Sequence, residues 1–141
     1  MHTVSLRKVA ILGLACLVLV SLTLLASQSS NTSDAKKMKN PVASNAQSIE
    51  AGKLIYTKSC APCHGATGKG DGAAAAQMTV KPSNLADEKW DHGSTDGEIF
   101  VLIRDGLPKS AMKGFKEKVK DPEVWNIVNY LRSIGPKKTT N

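Results

Sequence analysis

Aromatic side chains are scarce. Two Trp, two Tyr and two Phe make up 4% of the 141 residues, and all six lie between Tyr56 and Tyr130. Any packed core therefore sits in the last two thirds of the chain, and side chains alone would leave it marginal. Something other than side chains is expected to complete it. Strand patterning is absent too: no run alternates apolar and polar residues over strand length. The length leaves room for one small domain with appendages, which excludes a large multi-domain enzyme. Acidic residues are in deficit, 12 against 19 Lys and Arg, for a formal charge of +7. Taken globally, that charge suggests an anionic partner such as nucleic acid, an acidic protein or a lipid surface.

Arg7 and Lys8 precede an uncharged apolar run from Val9 to Ala26, after which the chain turns polar at Ser27. Residues 1–26 are a signal peptide or an uncleaved membrane anchor, and the rest of the chain is expected on the exported, periplasmic or extracytoplasmic side. The anchor is favoured because the run exceeds a typical ~7–15-residue signal core. As a helix it would span about 27 Å, close to the ~30 Å hydrocarbon thickness. Cys16 lies inside the run, without the residue pattern of a lipidation site, and reads as an apolar filler. Residues 27–47 hold Ser, Asn, Lys, Thr and Pro41 with almost no large apolar side chain, the composition of a flexible tether. The folded domain is expected over 48–135, followed by a disordered basic tail over 136–141.

Three helices carry start and stop signals. In the first, Ser48 can cap, Glu50 falls in the first turn, and Ala51, Leu54 and Ile55 form an apolar stripe running to about Lys58. Gly52 interrupts that stripe at a cost of about 1 kcal/mol, which points to the close approach of another backbone. In the second, Thr95 and Glu98 form a capping box before Ile99, Phe100, Leu102 and Ile103, and Gly106 stops the helix. In the third, Asp121 caps and Pro122 opens a wide apolar face of Val124, Trp125, Ile127, Val128, Leu131 and Ile134, which Gly135-Pro136 ends. The connections at 65–93 and 106–120 are rich in Gly, Pro, Asp and Lys. Connections of that length in a small domain wrap or bind something. The fold class is all-α, with three main helices and long loops.

Cys60-Ala61-Pro62-Cys63-His64 indicates what they wrap. Two thiols three apart at a helix end can add to the two vinyl groups of one haem while the adjacent imidazole reaches the iron. Cys60 and Cys63 are the thioether candidates and His64 the proximal ligand. A thioredoxin-like redox pair would follow a strand in an α/β pattern, which is missing. Half of a zinc site would need a second Cys or His pair, yet only Cys16, His2 and His92 remain. For the sixth iron position the chain outside the apolar run offers Met38, Met78, Met112 and His92. Met38 lies in the tether, Met78 reads as a packing residue after Ala73–Ala76, and His92 as a surface or hydrogen-bonding histidine. Met112, in the irregular loop Gly106–Phe115, is the expected ligand. A thioether there favours ferrous iron and leaves no open position for a substrate, which points to electron transfer.

On these residues the chain resembles the class I monohaem c-type cytochromes of bacteria over roughly 48–135. The resemblance is carried by Gly52 and Tyr56, the Cys60–His64 motif, the loop Gly65-Ala-Thr-Gly-Lys-Gly-Asp-Gly72, Met112 before Gly114-Phe115, and Trp125 with Tyr130-Leu131. That glycine loop is no phosphate cradle, because Gly70 follows Lys69 where Ser or Thr would be needed. The resemblance implies a small cytochrome c fold with one covalent haem c, in which the first and last helices cross at Gly52, with Tyr56, Ile127 and Tyr130 packed there. It also implies that a backbone carbonyl near Pro82 accepts a hydrogen bond from the second nitrogen of His64. Trp90 is either a neighbour of a haem propionate or core packing. The lysine-rich stretch Lys109 to Lys120 departs from relatives that often carry Pro beside the ligand.

The expected function is electron transfer through the exposed haem edge, without enzymatic bond making. The alternatives are a haem c subunit of a larger oxidase, reductase or dehydrogenase, and a haem-based ligand-binding or sensor protein. The charge can then be divided. Residues 48–135 hold 12 Lys and Arg against 11 Asp and Glu, so support for nucleic-acid binding disappears. What remains is local: Lys109, Lys113, Lys116, Lys118 and Lys120 surround Met112, relieved only by Glu117. They are either a solvated loop or a docking rim for an acidic redox partner.

Overall fold

A computed structural model of the chain describes residues 33–135. The proposed signal or anchor, residues 27–32 of the tether and the basic tail lie outside the described residues. The chain's contacts divide it after Ala35, and four α-helices with both ends among the described residues lie in the unit that starts at Lys36. They are α1 (Ala46–Ser59), α2 (Ala61–His64), α3 (Asp96–Asp105) and α4 (Asp121–Ile134), with one 3₁₀ turn at Ala73–Gln77. Among the described residues extended pairing is limited to one isolated antiparallel bridge, Gly106 with Lys113.

α1 begins earlier than the sequence suggests. Asn45 is the N-cap, its side chain accepting from the Ser48 N–H at 2.9 Å, while Ser48 Oγ accepts from the Asn45 N–H at 3.1 Å. Ser48 is thus the third helical residue of a capping box rather than its start. Glu50 falls beyond the first turn and sits 3.8 Å from Lys53. The buried side is also displaced: Ser48, Gly52 and Tyr56 face inward, whereas Leu54 is 66% exposed. The reason is Gly52, where a Cβ would fall onto the Asn126 carbonyl of α4. A helix that meets its partner through a glycine turns its smallest residue inward, and an apolar stripe cannot register that.

Around this crossing the Tyr56 and Tyr130 rings pack at 5.0 Å between centroids, above a fully buried Ile127. This is the packing that the resemblance implies. The segment before α1 belongs to the domain as well. Asn129, buried in α4, donates to the carbonyls of Val42 and Ala43 and to Ser48 Oγ, and accepts from the Asn40 side chain at 2.8 Å. Residues 40–45 of the expected tether over 27–47 are therefore packed into the domain, and residues 33–37 are helical. The tether's small polar residues find their partners on α4, a pairing that composition does not reveal.

α3 and α4 follow their signals closely. The Glu98 N–H donates to Thr95 Oγ1 and the Glu98 carboxylate accepts from the Thr95 N–H, while Gly106 ends α3 at φ +84°. α4 starts one residue earlier than expected. Lys120 is its N-cap, and Glu123 accepts the Lys120 N–H at 2.8 Å. Phe100 of α3 stacks on Trp125 of α4 at 4.1 Å, and Arg132 reaches from α4 to Asp96 at 2.7 Å. Ile99 and Ile103 of α3 and Val124, Val128 and Leu131 of α4 complete the core.

Candidate functional site

The Cys60–His64 motif closes α1 and forms α2. The Cys60 N–H donates to Tyr56 O, and the Cys63 and His64 N–H groups both return to Cys60 O. Pro62 suits the first turn of this short helix because no N–H is needed there. The result places Cys60, Cys63 and His64, all half-buried, on one wall of a cavity of about 300 Å³. Its other walls are mainly apolar, with Leu85 and Trp90 from the long connection, Ile99 and Leu102 from α3, and Ile127 and Leu131 from α4.

The imidazole of His64 is oriented from behind. Its Nδ1–H donates to Ser83 O at 3.2 Å, which leaves Nε2 with a free lone pair. The segment before Ser83 is held by the glycine loop: Gly70, at φ +76°, donates its N–H to His64 O, and a Cβ at Gly70 would strike the Pro82 carbonyl. Ser83 is the acceptor that sequence reasoning could place only within Lys81–Leu85. Burial pushes the His64 pKa below its ordinary value, with the Ser83 hydrogen bond opposing, so the ring is a neutral donor at pH 7.

Cys60 and Cys63 are not joined in a disulfide. Burial, with a contribution from Cys63, pushes the Cys60 thiol up to about 11. Dithiol oxidoreductases work through a depressed thiol pKa, so this shift argues against a thioredoxin-like pair. Among the described residues no group of three or more His, Cys, Asp or Glu is arranged to hold a metal ion.

Met112 lines the same cavity from the loop between α3 and α4, and so do Met78 and His92. Two residues read from the sequence as packing or surface groups thus reach the cavity as well, Met78 from the end of the 3₁₀ turn and exposed His92 at the rim. Only Met112 has its backbone tied on both sides: its N–H donates to Ser110 Oγ at 3.1 Å and its carbonyl accepts the Leu107 N–H at 3.0 Å. The Trp90 indole N–H donates to Asp87 O at 3.1 Å and its ring lies under the Arg132 guanidinium, so Trp90 serves as cavity wall. A pair of adjacent thiols, a neutral imidazole with a free Nε2, a thioether and apolar walls together fit a flat apolar macrocycle with two reactive vinyl groups and a central iron.

The cytochrome c family model matches residues 49–135. Among curated proteins, the cbb3-type cytochrome c oxidase subunit FixP of Sinorhizobium medicae is 33% identical over 88 residues, covering 62% of this chain and 28% of that protein. Cytochrome c6 of Gracilaria tenuistipitata var. liui is 27% identical over 86 residues, covering 61% of this chain and 72% of that protein. The chain spans less than a third of the length of the oxidase subunits it matches. Among solved structures, a chain of the Kuenenia stuttgartiensis reducing HAO-like protein complex superimposes with a TM-score of 0.64 at 28% identity, over 68% of this chain and 47% of that one. The KustC0563 c-type cytochrome gives 0.51 at 28% identity, over 60% and 98%.

Proposed function

The chain belongs to the cytochrome c family, and from that premise we propose that it is an exported electron carrier in which Cys60 and Cys63 hold haem c, with His64 and Met112 as axial ligands. The haem supplies an iron that alternates between Fe(III) and Fe(II). The observation that carries this reading is a single apolar cavity lined by both cysteines, His64 and Met112.

Each residue then has a defined task. The bond to Ser83 O fixes the His64 tautomer and aims Nε2 at the cavity. The Met112 thioether would serve as the second iron donor and would favour the reduced state over what a harder donor would give. The apolar walls keep water from the site, which raises the energetic weight of every fixed charge and dipole near it. Export is inferred from the basic-then-apolar N-terminal run, and the lysines flanking Met112 are assigned to docking an acidic redox partner.

A second reading, a haem subunit of a larger redox complex, has its support in the match to oxidase subunits of which the aligned part covers less than a third. Co-purification of a stoichiometric partner after mild detergent extraction separates it from a free carrier.

Purified protein should keep a haem stain through denaturing electrophoresis and show the visible bands of low-spin six-coordinate haem in both redox states. A stain lost on denaturation, with two titratable thiols in its place, overturns the assignment.

A further inference from the structure

The loop Gly106-Leu-Pro-Lys-Ser-Ala-Met-Lys113 contains a small closed circuit of hydrogen bonds. Ser110 Oγ donates to Leu107 O at 2.8 Å and accepts the Met112 N–H at 3.1 Å, while the Leu107 N–H donates to Met112 O at 3.0 Å. A hydroxyl has one proton and two lone pairs, so this single group satisfies a backbone acceptor and a backbone donor at once. Pro108 has no N–H to offer, and Lys109 turns the chain at φ +59°, the one positive φ outside glycine among the described residues. The Ser110 N–H also donates to Leu107 O at 3.3 Å, so what the hydroxyl alone supplies is the partner of the Met112 N–H.

We propose that Ser110 is a positioning residue for Met112, holding the Met112 peptide so that its thioether competes successfully for the sixth position on the iron. The proposal rests on the reading of Met112 as axial ligand. A methionine side chain is flexible, and ordering it costs conformational entropy on top of that of its backbone. A peptide clamped at both its N–H and its carbonyl has lost its backbone freedom before ligation, so the thioether binds as a pre-organised donor. Without the Oγ bridge the Met112 N–H has no partner in the loop and the carbonyl bond alone holds the peptide. Met78 and His92 line the same cavity without such a clamp, which gives Met112 the advantage over both.

The test uses full-length holoprotein and its Ser110→Ala, Ser110→Thr and Met112→Ala variants. Carbon monoxide affinity of the reduced form, the sulfur-to-iron charge-transfer band of the oxidised form, and amide exchange at Met112 are measured. Loss of one such hydrogen bond corresponds to a roughly threefold to tenfold shift in the ligation equilibrium. Ser110→Ala is expected to bind carbon monoxide that much more tightly, weaken the charge-transfer band and expose the Met112 amide. Ser110→Thr should restore all three. If Ser110→Ala loses only melting temperature while carbon monoxide affinity and the band stay at wild-type values, the positioning role is overturned. If Met112→Ala itself leaves the band and carbon monoxide binding unchanged, the ligand assignment beneath it fails instead.

Discussion

Gly52 of α1 lies flush against the Asn126 carbonyl of α4, with no space at its Cα for a methyl group. Both neighbours are helix backbone, so neither can rotate away as a side chain would. Gly52→Ala is therefore expected to push the helices apart despite the better helix propensity of alanine. Overpacking typically costs 1–3 kcal/mol, and a backbone clash puts this case at about 3 kcal/mol. Urea unfolding of the holoprotein measures it, and a stability equal to wild type would contradict the packing.

Asn129 ties the segment Asn40–Ala43 to the same helix with three hydrogen bonds and makes a fourth to Ser48 Oγ of α1, all at one buried side chain. Asn129→Ala removes both donor and acceptor and leaves the Val42 carbonyl without a partner, while the Ala43 carbonyl keeps its bond from Ser48 Oγ. At about 1 kcal/mol per bond, with partial rescue by water, the loss is expected to be about 2–3 kcal/mol. The haem spectrum should be unchanged, because this side of α4 carries Trp125 and Asn129 while Ile127 and Leu131 line the cavity. Hydrogen exchange should rise over 40–45; a rise confined to the Cys60–His64 region would refute the clamp.

Glu98 links stability to pH. Its carboxylate accepts from the Ser94 and Thr95 N–H groups and from Thr95 Oγ1. The Thr95 backbone bond is the main cause holding its pKa below the ordinary carboxylate value. A folded pKa below the unfolded one means that the contribution is fully present above the unfolded value and is lost as pH falls through the folded one. Glu98→Gln keeps the cap geometry without the charge. The variant is expected to be about 0.5–1 kcal/mol less stable at pH 7 and to converge on wild type below the carboxylate range. Chemical denaturation at pH 7 and pH 3 checks this; a constant difference would mean that ionisation of Glu98 has no role.

α3 and α4 were legible because their information is local: a capping box, a proline in the first turn, a terminal glycine and a 3.6-residue stripe. The Cys60–His64 motif was legible because covalent chemistry fixes its spacing. What escaped depends on contacts far apart in sequence. Leu54 reads as buried until Gly52 is seen to set which side of α1 faces α4. Residues 40–45 read as tether because their partner, Asn129, lies more than 80 positions away. Ser83 could not be singled out because its distance from His64 is set by Gly70 against Pro82. Met78 and His92 arrive at the cavity on connections whose path no periodicity encodes.

Lys109, Lys113, Lys116, Lys118 and Lys120 are all exposed, and among the described residues none of them forms an ion pair. Lys113 and Lys118 line the cavity beside Met112. Lys116 adds only a small part to the lowering of the Asp105 pKa, which Arg104 dominates. Because residues 48–135 are almost charge-balanced, steering here must come from this patch and not from net charge. A patch field is screened over about 8 Å at physiological salt. Electron-transfer rates with an acidic partner should therefore fall steeply as salt rises. Lys113→Glu combined with Lys116→Glu should lower the low-salt rate by about tenfold or more while leaving the melting temperature and spectrum intact. Stopped-flow kinetics against a small acidic redox protein, across a salt series, decides the matter. Rates that neither salt nor the double substitution changes would reduce the five lysines to a solvated loop.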